Sequence, residues 1–403
     1  MLPEGWKYSN IGEIASNVTS GSRDWAQYYS DTGDKFVRMT NLARDGVRIS
    51  ENDMKFVSIP HDSTDGKRTA LKNGDILISI TAELGKIGLV PNGFGTAFIN
   101  QHLALVRLKN AAASSTFVAY ALSSKKLNQK LNSLNDAGAK AGLNLSTIRS
   151  FPIILPPLLE QKKIAAILST WDRAIEGTEK LLANSQQQKK ALMQQLLTGK
   201  KRLPGFTGEW KTKRLKSISK IYDGTHQTPN YVETGIPFYS VEHLTSGKFN
   251  NTKFISDEVY HNESRKRQIE KNDILLTRIG DIGTAKLIDW DVRASFYVSL
   301  ALIKSNTIMS PKFFECALNS EPFKKELWHR TIHVAFPKKI NLGDIGDCSI
   351  SFPPLPEQKA IATILSTTDE EITALKSDLS RLRQEKKALM QQLLTGKRRV
   401  TVD

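Results

Sequence analysis

Two stretches of the chain carry apolar side chains at alternating spacings of four and three residues. In the later stretch these positions are Ile361, Leu365, Thr368, Ile372, Leu375, Leu379, Leu382, Lys386, Leu389 and Leu393. The earlier stretch keeps the register at Ile164, Leu168, Trp171, Ile175, Leu182, Leu192 and Leu196, with interruptions at Thr178, Ser185 and Lys189. This spacing is typical of the a and d positions of a coiled coil. It predicts two long helices, within residues 156–199 and 353–397.

The two predicted helices are copies of each other. The sequence KKALMQQLLTGK occurs at 189–200 and again at 386–397, and PPLLEQKKIAAILS at 156–169 returns as PPLPEQKAIATILS at 353–366. A proline pair precedes each helix, where a missing N–H is tolerated, and Gly199 and Gly396 follow where a left-handed cap is expected. Neither helix could bury its apolar stripe alone. We therefore expect the helices to pair with each other, antiparallel, because this arrangement needs no long return path.

The segments outside the helices, 1–155 and 200–352, also repeat each other. DILISI at 75–80 and LALVRL at 103–108 are apolar and partly β-branched, which predicts strands, and the pattern from Thr116 to Leu131 is helical. DILLTRI at 273–279 and SLALIK at 299–304 match these strands in the second segment. The prediction is an α+β chain with two related globular domains, 1–155 and 200–352, and a pseudo-twofold arrangement about the helices at 156–199 and 353–397.

Composition favours a polyanionic partner. The chain of 403 residues has a formal net charge of +16, and an excess of this size favours DNA or RNA, although a generally basic surface would give the same balance. Cys316 and Cys348 are the two cysteines, so no disulfide framework is predicted and a reducing cytoplasm is expected. The N-terminal residues do not read as a secretory leader, and no apolar run approaches the length of a membrane span.

Sequence motifs for catalysis are largely missing. There is no GxxxxGK[ST] loop, GxGxxG, HExxH or zinc-spaced Cys/His cluster. The TGKK sequence after the first helix is interpreted as a cap followed by a basic linker, and the Pro-Pro pairs as helix starts. The sequence therefore predicts no active site, metal site or cofactor site in this chain.

Candidate DNA contacts lie in polar, turn-rich segments of both halves. TSGSRDWAQYY at 19–29 and DGTHQTPNY at 223–231 combine hydrogen-bonding side chains suited to base edges with aromatic residues. The alternative is a structural loop with core-facing aromatic residues. Basic side chains elsewhere are candidates for phosphate contacts, and two loops that match each other, just before the helices, contain lysines. The candidates are Arg23, Trp25, Tyr28, Tyr29, Arg38, Lys67, Arg68 and Lys140 in the first half, and His226, Gln227, Tyr231, Arg265, Arg267, Arg278, Lys338 and Lys339 in the second.

Together, the repeated PPLLEQKKIAAILS/PPLPEQKAIATILS and KKALMQQLLTGK sequences and the paired DILIS/DILLT runs resemble the specificity (S) subunits of Type I restriction–modification systems, over essentially the whole chain. The resemblance implies two α/β target recognition domains, each reading one half of a split double-stranded DNA sequence, separated by an antiparallel coiled coil of the two conserved helices. It also implies a role in DNA methylation and phage defence.

The same resemblance implies partners and the place of the chemistry. Two methyltransferase subunits would dock on the chain, and restriction subunits would join through them. S-adenosylmethionine, ATP and Mg²⁺ would belong to those partners, so this chain would be a non-catalytic subunit without a cofactor of its own. A coiled-coil scaffold whose globular ends bind proteins remains the alternative, and salt-dependent affinity for duplex DNA distinguishes the two.

Overall fold

The computed structural model describes residues 2–60, 66–109, 112–134, 142–264 and 267–401. The chain divides into two compact units: unit 1 comprises Met1–Glu179 and Ser377–Asp403, and unit 2 comprises Lys180–Lys376. Each unit therefore combines one globular part with a portion of each long helix. These compact units do not coincide with the four segments named from the sequence, because each long helix contributes to both units.

Unit 1 contains ten strands and four short helices among its described residues, and the first long helix begins there. The strands are β1 Lys7–Asn10, β2 Ala15–Ser20, β3 Tyr29–Ser30, β4 Asp34–Val37, β5 Lys55–Val57, β6 Ile76–Ser79, β7 Ile87–Leu89, β8 Ala97–Ile99, β9 Leu103–Leu108 and β10 Pro152–Leu155. The helices are α1 Ile11–Ile14, α2 Ser115–Ser123, α3 Lys125–Ser133, α4 Leu145–Ser150 and the long helix α5 Leu158–Leu196.

Among its described residues, unit 2 also contains ten strands, with six short α-helices. Its strands are β11 Lys211–Arg214, β12 Ile221–Asp223, β13 Tyr231–Val232, β14 Ile236–Tyr239, β15 Lys253–Ile255, β16 Ile274–Ile279, β17 Asp281–Leu287, β18 Ser295–Phe296, β19 Leu300–Ile303 and β20 Ser349–Phe352. Its helices are α6 Leu215–Ile218, α7 Val241–Ser246, α8 Asp257–Ser264, α9 Pro311–Leu318, α10 Glu321–Arg330, α11 Leu342–Asp347 and the long helix α12 Leu355–Leu393.

The sheets show that the two units share one topology. In unit 1 the strand orders are β2-β9-β6-β7, β3-β5-β4-β8 and β1-β10, and in unit 2 they are β12-β19-β16-β17, β13-β15-β14-β18 and β11-β20. The same ladder is parallel in both units, β4 with β8 and β14 with β18, while the other ladders are antiparallel. The duplication predicted from weak similarity between the globular segments is therefore confirmed at the level of individual strands.

The two central strands of each unit are apolar on both faces because each face meets a separate core. In unit 1, Ile76 and Ile78 of β6 lie in the core that also contains α2, whereas Leu77 points into the core beneath the second sheet. In unit 2, Ile274 and Leu275 divide in the same way. A strand buried on both faces reads as a continuous apolar run without alternation, as both DILISI and DILLT do.

The long helices confirm the repeat-based prediction. Helices α5 and α12 each contain 39 residues, starting just after the proline pairs and ending three residues before Gly199 and Gly396. Both glycines have φ of +69°, the left-handed conformation expected after a helix C-terminus. The structure places the first and last residues two to four positions inside the predicted bounds.

Polar pairs at heptad positions give the direction of the helices within each unit. In unit 1, Lys386 near the end of α12 forms an ion pair with Asp172 near the start of α5. In unit 2, Lys189 near the end of α5 pairs with Asp369 near the start of α12. Ser185, which interrupts the apolar stripe, donates to Glu371 Oε1 at 2.9 Å. The helices are therefore antiparallel in both units, and two of the interruptions of the stripe, Ser185 and Lys189, make polar contacts between them.

Buried glutamates anchor the start of each long helix. The side chain of Glu160 is buried and accepts hydrogen bonds from Arg399 Nε at 2.7 Å and from Trp6 Nε1 at 3.1 Å. Glu357 is equally buried and accepts from Arg202 Nε and Nη2, both at 2.6 Å. The basic residues that follow each long helix thus neutralise the carboxylate at the start of the other helix, in the same unit.

One sequence-based prediction of an element was incomplete. The helical pattern from Thr116 to Leu131 forms two helices, α2 and α3, separated at Ser124. Ser124 has an extended backbone conformation with ψ of 142°, its N–H bonds to the carbonyl of Ala121, and α3 begins at the next residue. Serine favours such a boundary because its side chain competes for backbone hydrogen bonds.

Candidate nucleic-acid interface

A glycine-anchored loop follows β2 in unit 1 and β12 in unit 2, which are equivalent edge strands of the sheets β2-β9-β6-β7 and β12-β19-β16-β17. A Cβ at Gly21 would lie 2.2 Å from the carbonyl oxygens of Ile99 and Asn100, and a Cβ at Gly224 would lie 2.3 Å from the carbonyl oxygen of Tyr297. The next residues form parallel bridges at the same place, Ser22 with Asn100 and Thr225 with Tyr297. Only glycine permits this close approach. The two candidate DNA-contact segments are therefore built on equivalent anchors.

Trp25 belongs to the core of unit 1, which corrects its assignment as a DNA contact. Its side chain is 5% exposed, and its ring centroid lies 4.8 Å from that of Phe36 and 5.5 Å from that of Phe98. The indole Nε1 donates to the carbonyl of Ser22 at 3.1 Å. With its ring face packed and its N–H used, Trp25 supports the loop and has no free surface for a base.

The neighbours of Trp25 on this loop are more accessible. Tyr29 is 49% exposed with its ring edge against Phe36, Tyr28 is half-buried against Trp25, and Arg23 is exposed. Tyrosine hydroxyls and the arginine guanidinium can hydrogen-bond to base edges or phosphates. Arg23 and Tyr29 are therefore accessible on this loop, and Tyr28 is partly so.

Three basic candidates in unit 1 differ in whether their side chains already form hydrogen bonds within the protein. Arg38 donates through Nη2 to the carbonyl of Asp53 at 2.8 Å and to its carboxylate at 3.0 Å. Arg68 donates to the carbonyl of Ser20 at 3.1 Å and to the hydroxyl of Thr19, so it holds the strand that leads into the loop. Lys67 is exposed. Of the three, Lys67 has the side chain best placed to reach a phosphate.

Unit 2 has a cleft beside its glycine-anchored loop, with a volume of about 550 Å³. Its lining comes from the loop, from the end of β16 and from the segment before α11, and consists of Asp223, His226, Arg278, Ile279, Val298, Lys339, Asn341 and Leu342. Three of the sequence-based candidates, His226, Arg278 and Lys339, meet here although more than 100 positions separate the first from the last.

Arg278 is a structural residue, which corrects its assignment as a phosphate contact. It is 7% exposed. Its guanidinium donates to the carbonyls of Val298 at 2.9 Å and Ile340 at 3.0 Å, and binds both carboxylate oxygens of Asp223 at 2.9 and 3.0 Å. These hydrogen bonds use four of the five N–H donors of a side chain that is almost fully buried, so Arg278 fixes the carboxylate of Asp223.

Asp223, which sequence reasoning did not select, orients the exposed imidazole of His226. Nε2 of His226 lies 2.8 Å from Asp223 Oδ2, and the ring projects into solvent. This contact occupies Nε2 and leaves Nδ1 available to a ligand. Arg267 donates to the carbonyls of Asp223 and Gly224, both at 3.2 Å, and so holds the same turn. The only sequence signal for Asp223 was its position directly before the anchoring glycine.

The other two candidates of this loop, Gln227 and Tyr231, are accessible. Gln227 is exposed, and its amide supplies both a donor and an acceptor. Tyr231 is 39% exposed, with Lys253 Nζ 4.5 Å from its ring centroid. Partial burial raises the pKa of Tyr231, and a tyrosine hydroxyl is protonated at neutral pH with or without this shift, so it can donate. His226, Gln227 and Tyr231 can therefore read base edges, whereas Arg267 is a positioning residue.

The two lysines before α11 are exposed, and Lys339 lines the cleft. Lys338 Nζ lies 4.7 Å from the ring centroid of Trp328, and Lys339 pairs through its backbone with both Ile279 and Ile332. Lys140 and Arg265, the other basic candidates, lie outside the described residues. Sequence reasoning selected Lys338 and Lys339 but missed the exposed apolar residues Val334 and Phe336 beside them.

Within residues 2–60, 66–109, 112–134, 142–264 and 267–401, no group of three His, Cys, Asp or Glu side chains could hold a metal ion. None of the described helices is both long enough and apolar enough to cross a membrane. The ion pairs Arg107–Asp75 and Lys304–Asp273 occupy equivalent positions in the two units, and both carboxylates are buried. Each carboxylate lies one residue before a central strand, β6 or β16, so these pairs are structural.

Comparison with known proteins agrees with this description. The family model for the Type I restriction modification DNA specificity domain matches residues 3–184 and 207–382. The Type I restriction enzyme MjaVIII specificity subunit of Methanocaldococcus jannaschii is 26% identical, covering 99% of this chain and 94% of that protein. The EcoKI specificity subunit of Escherichia coli is 22% identical, covering 89% and 81%.

Solved structures show the same fold. The Type I restriction–modification S subunit from M. genitalium superimposes with a TM-score of 0.64 at 16% identity, covering 99% of this chain and 97% of that one. A chain from a structural study of Type I restriction–modification complex assembly gives 0.58 at 17% identity, covering 99% and 100%. Because the family model matches both halves and most of the sequence, this chain belongs to the Type I restriction–modification DNA specificity family.

Proposed function

We propose that this chain gives a Type I restriction–modification complex its sequence specificity by reading a split target in duplex DNA. Unit 1 reads one part of the target and unit 2 reads the other. The observation that carries the proposal is the pair of equivalent, glycine-anchored loops. Gly21 and Gly224 fix the same backbone approach in both units, and the exposed side chains beyond them are of types that bind base edges.

The target is asymmetric. The unit 1 loop exposes Arg23 and Tyr29, whereas the unit 2 loop exposes His226 and Gln227. These side chains differ in their donors and acceptors: arginine only donates, whereas glutamine does both. Two loops of different chemistry on the same scaffold read different base sequences, so the two parts of the target differ.

Lysines beside the loops supply contacts to the phosphates. Lys67 in unit 1 and Lys338 and Lys339 in unit 2 are exposed, and the chain has a formal net charge of +16. Such contacts provide affinity and register, and carry no sequence information themselves. Binding is therefore strongest at low salt, because each phosphate contact releases counterions.

Two methyltransferase subunits dock on the long helices, and restriction subunits join through them. Support comes from the repeat: the sequence KKALMQQLLTGK occurs in both long helices, and its glutamines Gln194 and Gln195, like their copies Gln391 and Gln392, are exposed. Identical exposed surfaces are suited to two copies of one partner. S-adenosylmethionine, ATP and Mg²⁺ belong to those partners in the cytoplasm, and this chain positions their target without catalysis.

The dependence of duplex affinity on salt tests this function. The full chain, assembled with its methyltransferase, is titrated with duplex DNA at several salt concentrations. We expect log K to fall linearly with log salt, with a slope of about −0.9 for each phosphate contacted. A protein-binding scaffold would show no salt-dependent affinity for duplex DNA, and that result would refute the proposal.

A further inference from the structure

The loop between α10 and α11 carries apolar side chains that the other described residues leave uncovered. Val334 is 96% exposed and Phe336 is fully exposed, the two highest values among the large hydrophobic residues of the described chain. Single exposed apolar residues are common. Two of them at the tip of one loop, separated by one residue, form an apolar surface that gains free energy only on contact with another molecule.

The base of this loop is held in place by backbone pairing. Ile332 N donates to the carbonyl of Lys339 at 2.8 Å, and Gly280 N donates to the carbonyl of Lys338 at 2.9 Å. Ile340 N donates to the carbonyl of Arg278 at 3.0 Å. The ends of the loop are thus joined to each other and to the end of β16. The tip is therefore presented from a fixed base.

These same bonds place the loop beside the cleft of unit 2. Lys339 at its base lines the cleft together with Asp223, His226 and Arg278. The surroundings are cationic because Lys338 and Lys339 are exposed. The ring of His333 packs against that of Trp328 with 4.3 Å between centroids. An apolar tip flanked by lysines matches a duplex, in which charged phosphates border an apolar base stack.

We propose that Val334 and Phe336 form a wedge that inserts against the base stack next to the part of the target read by unit 2. Lys338 and Lys339 contact the flanking phosphates, and His226 and Gln227 read base edges from the neighbouring loop. The wedge partly unstacks one base step, so that sequences which unstack easily at this position bind more tightly. This inference rests on the proposed function, and it assigns part of the specificity to DNA deformability.

The test uses the full chain assembled with its methyltransferase and a duplex containing the motif found by mapping its methylated bases. 2-Aminopurine replaces successive bases of the part read by unit 2, excluding the methylated adenine. With the unaltered chain, we expect fluorescence to increase at one step. In Phe336→Ala this increase is lost and Kd rises roughly ten-fold or more, as expected when a phenyl ring loses its contact with the base stack.

Control variants test whether the loss of affinity in Phe336→Ala comes from loss of the wedge. Phe336→Leu, which keeps an apolar side chain, should retain part of the affinity. Tyr8→Ala removes another exposed aromatic side chain, 73% exposed on β1 of unit 1, and should leave both the fluorescence and Kd unchanged. The salt slope of Phe336→Ala should equal that of the unaltered chain, because the lysines remain.

Two results would overturn the wedge while leaving the proposed function intact. One is an unchanged Kd and fluorescence profile in Phe336→Ala. The other is loss of methyltransferase binding in Phe336→Ala with normal DNA affinity of the complex that still assembles, which would show that the tip contacts protein. If the unaltered complex has no salt-dependent affinity for duplex DNA, the proposed function and the wedge both fail.

Discussion

At the scale of single residues, Asp223 shows how the recognition surface of unit 2 depends on the core. Its carboxylate is held on one side by Arg278 and meets the exposed His226 on the other. The accessible imidazole is thereby connected through two contacts to the buried end of β16. We therefore expect replacement of Arg278 to destabilise the fold of unit 2, and replacement of His226 to weaken recognition.

Replacement of Arg278 with Met is expected to destabilise unit 2 by about 3 kcal/mol, because it removes one partner of a largely buried ion pair and leaves buried carbonyls without donors. Hydrogen exchange of the β16 amides, which follows local stability, measures the loss. Arg23→Met is the matched control: Arg23 is exposed, so its replacement should change stability by less than about 0.5 kcal/mol. Equal protection of β16 in both variants would contradict the structural assignment of Arg278.

Both cysteines are expected to resist alkylation in the folded protein. Burial raises the pKa of Cys316 to about 11 and that of Cys348 to about 12. The folded pKa values exceed the ordinary value, so the stabilising contribution is complete below about pH 9 and is lost as pH rises through about 11 to 12. Iodoacetamide should therefore label neither thiol rapidly at pH 8.5, although it labels both in urea.

The cysteine-free variant, Cys316→Ala with Cys348→Ala, provides the comparison for stability. Between pH 9 and 11 its free energy of unfolding should fall less steeply than that of the unaltered chain, since the two thiol ionisations are absent. Rapid labelling of either cysteine in the native protein at pH 8.5 would contradict their buried, neutral state.

The candidate residues could be selected from the sequence by type and position, but not by burial. TSGSRDWAQYY indicated a loop with accessible groups, and the structure places Arg23 and Tyr29 on its surface while Trp25 packs against Phe36. The sequence alone suggests that an arginine such as Arg278 is exposed, because the hydrogen-bond acceptors that allow its burial are not evident. Those acceptors come from distant segments, and one sequence does not show which segments meet.

At the scale of elements, identical sequences lie in different surroundings. Lys386 and Lys189 occupy the same position of the repeated KKALMQQLLTGK sequence, and each pairs with an aspartate of the other helix. Lys386 also lies over the ring of Tyr120, whose hydroxyl donates to Asp172 at 2.5 Å. Accordingly the Lys386 side chain is 9% exposed, whereas that of Lys189 is 28% exposed.

We therefore expect Lys386→Met to destabilise unit 1 by about 2 kcal/mol, and Lys189→Met to destabilise unit 2 by less than about 1 kcal/mol. A less exposed ion pair is screened less by water and salt, so its loss costs more. Hydrogen exchange of α12 amides near Lys386 and of α5 amides near Lys189 measures each effect locally. Arg381→Met, on an exposed face of α12, serves as the control. Equal losses at Lys386 and Lys189 would show that the surroundings of the pairs do not matter.

Elements whose sequences show a periodic or repeated pattern could be predicted, whereas the pairing of strands into sheets could not. The heptad pattern located α5 and α12, and apolar runs located β6 and β9. The strand order of each sheet could not be read from the sequence, since it depends on ladders between distant segments. The break at Ser124 between α2 and α3 was also missed, because both helices continue the same apolar spacing.

At the scale of the whole chain, the two duplicated units share one strand topology but differ in the exposed side chains of their loops. Both units repeat the same three sheets, and both loops depend on a glycine that tolerates no side chain, while the residues beyond each glycine differ. This is the division expected when two units perform the same task on different sequences. The family and its general function followed from the repeats, but the bases read by each loop did not, because side-chain type alone leaves several pairings open.

Substitutions in one loop should alter one part of the target and leave the other part unchanged. His226→Ala with Gln227→Ala removes the two side chains of the unit 2 loop that we propose read base edges, and both residues are exposed, so folding is preserved. We expect relaxed specificity at one or two positions of a single part, each corresponding to about 1–3 kcal/mol of discrimination. The methylation pattern of the variant complex measures this. Simultaneous changes in both parts would show that the units do not read independently.

Mapping methylated adenines across a genome in which this chain is co-expressed with its methyltransferase addresses the function of the whole molecule. Two units of equal topology and different loop chemistry predict one split motif: two defined, unequal parts around a fixed number of unspecified bases. A single continuous motif would contradict the assignment of one part to each unit. Absence of methylation despite a stable complex would favour a protein-binding scaffold.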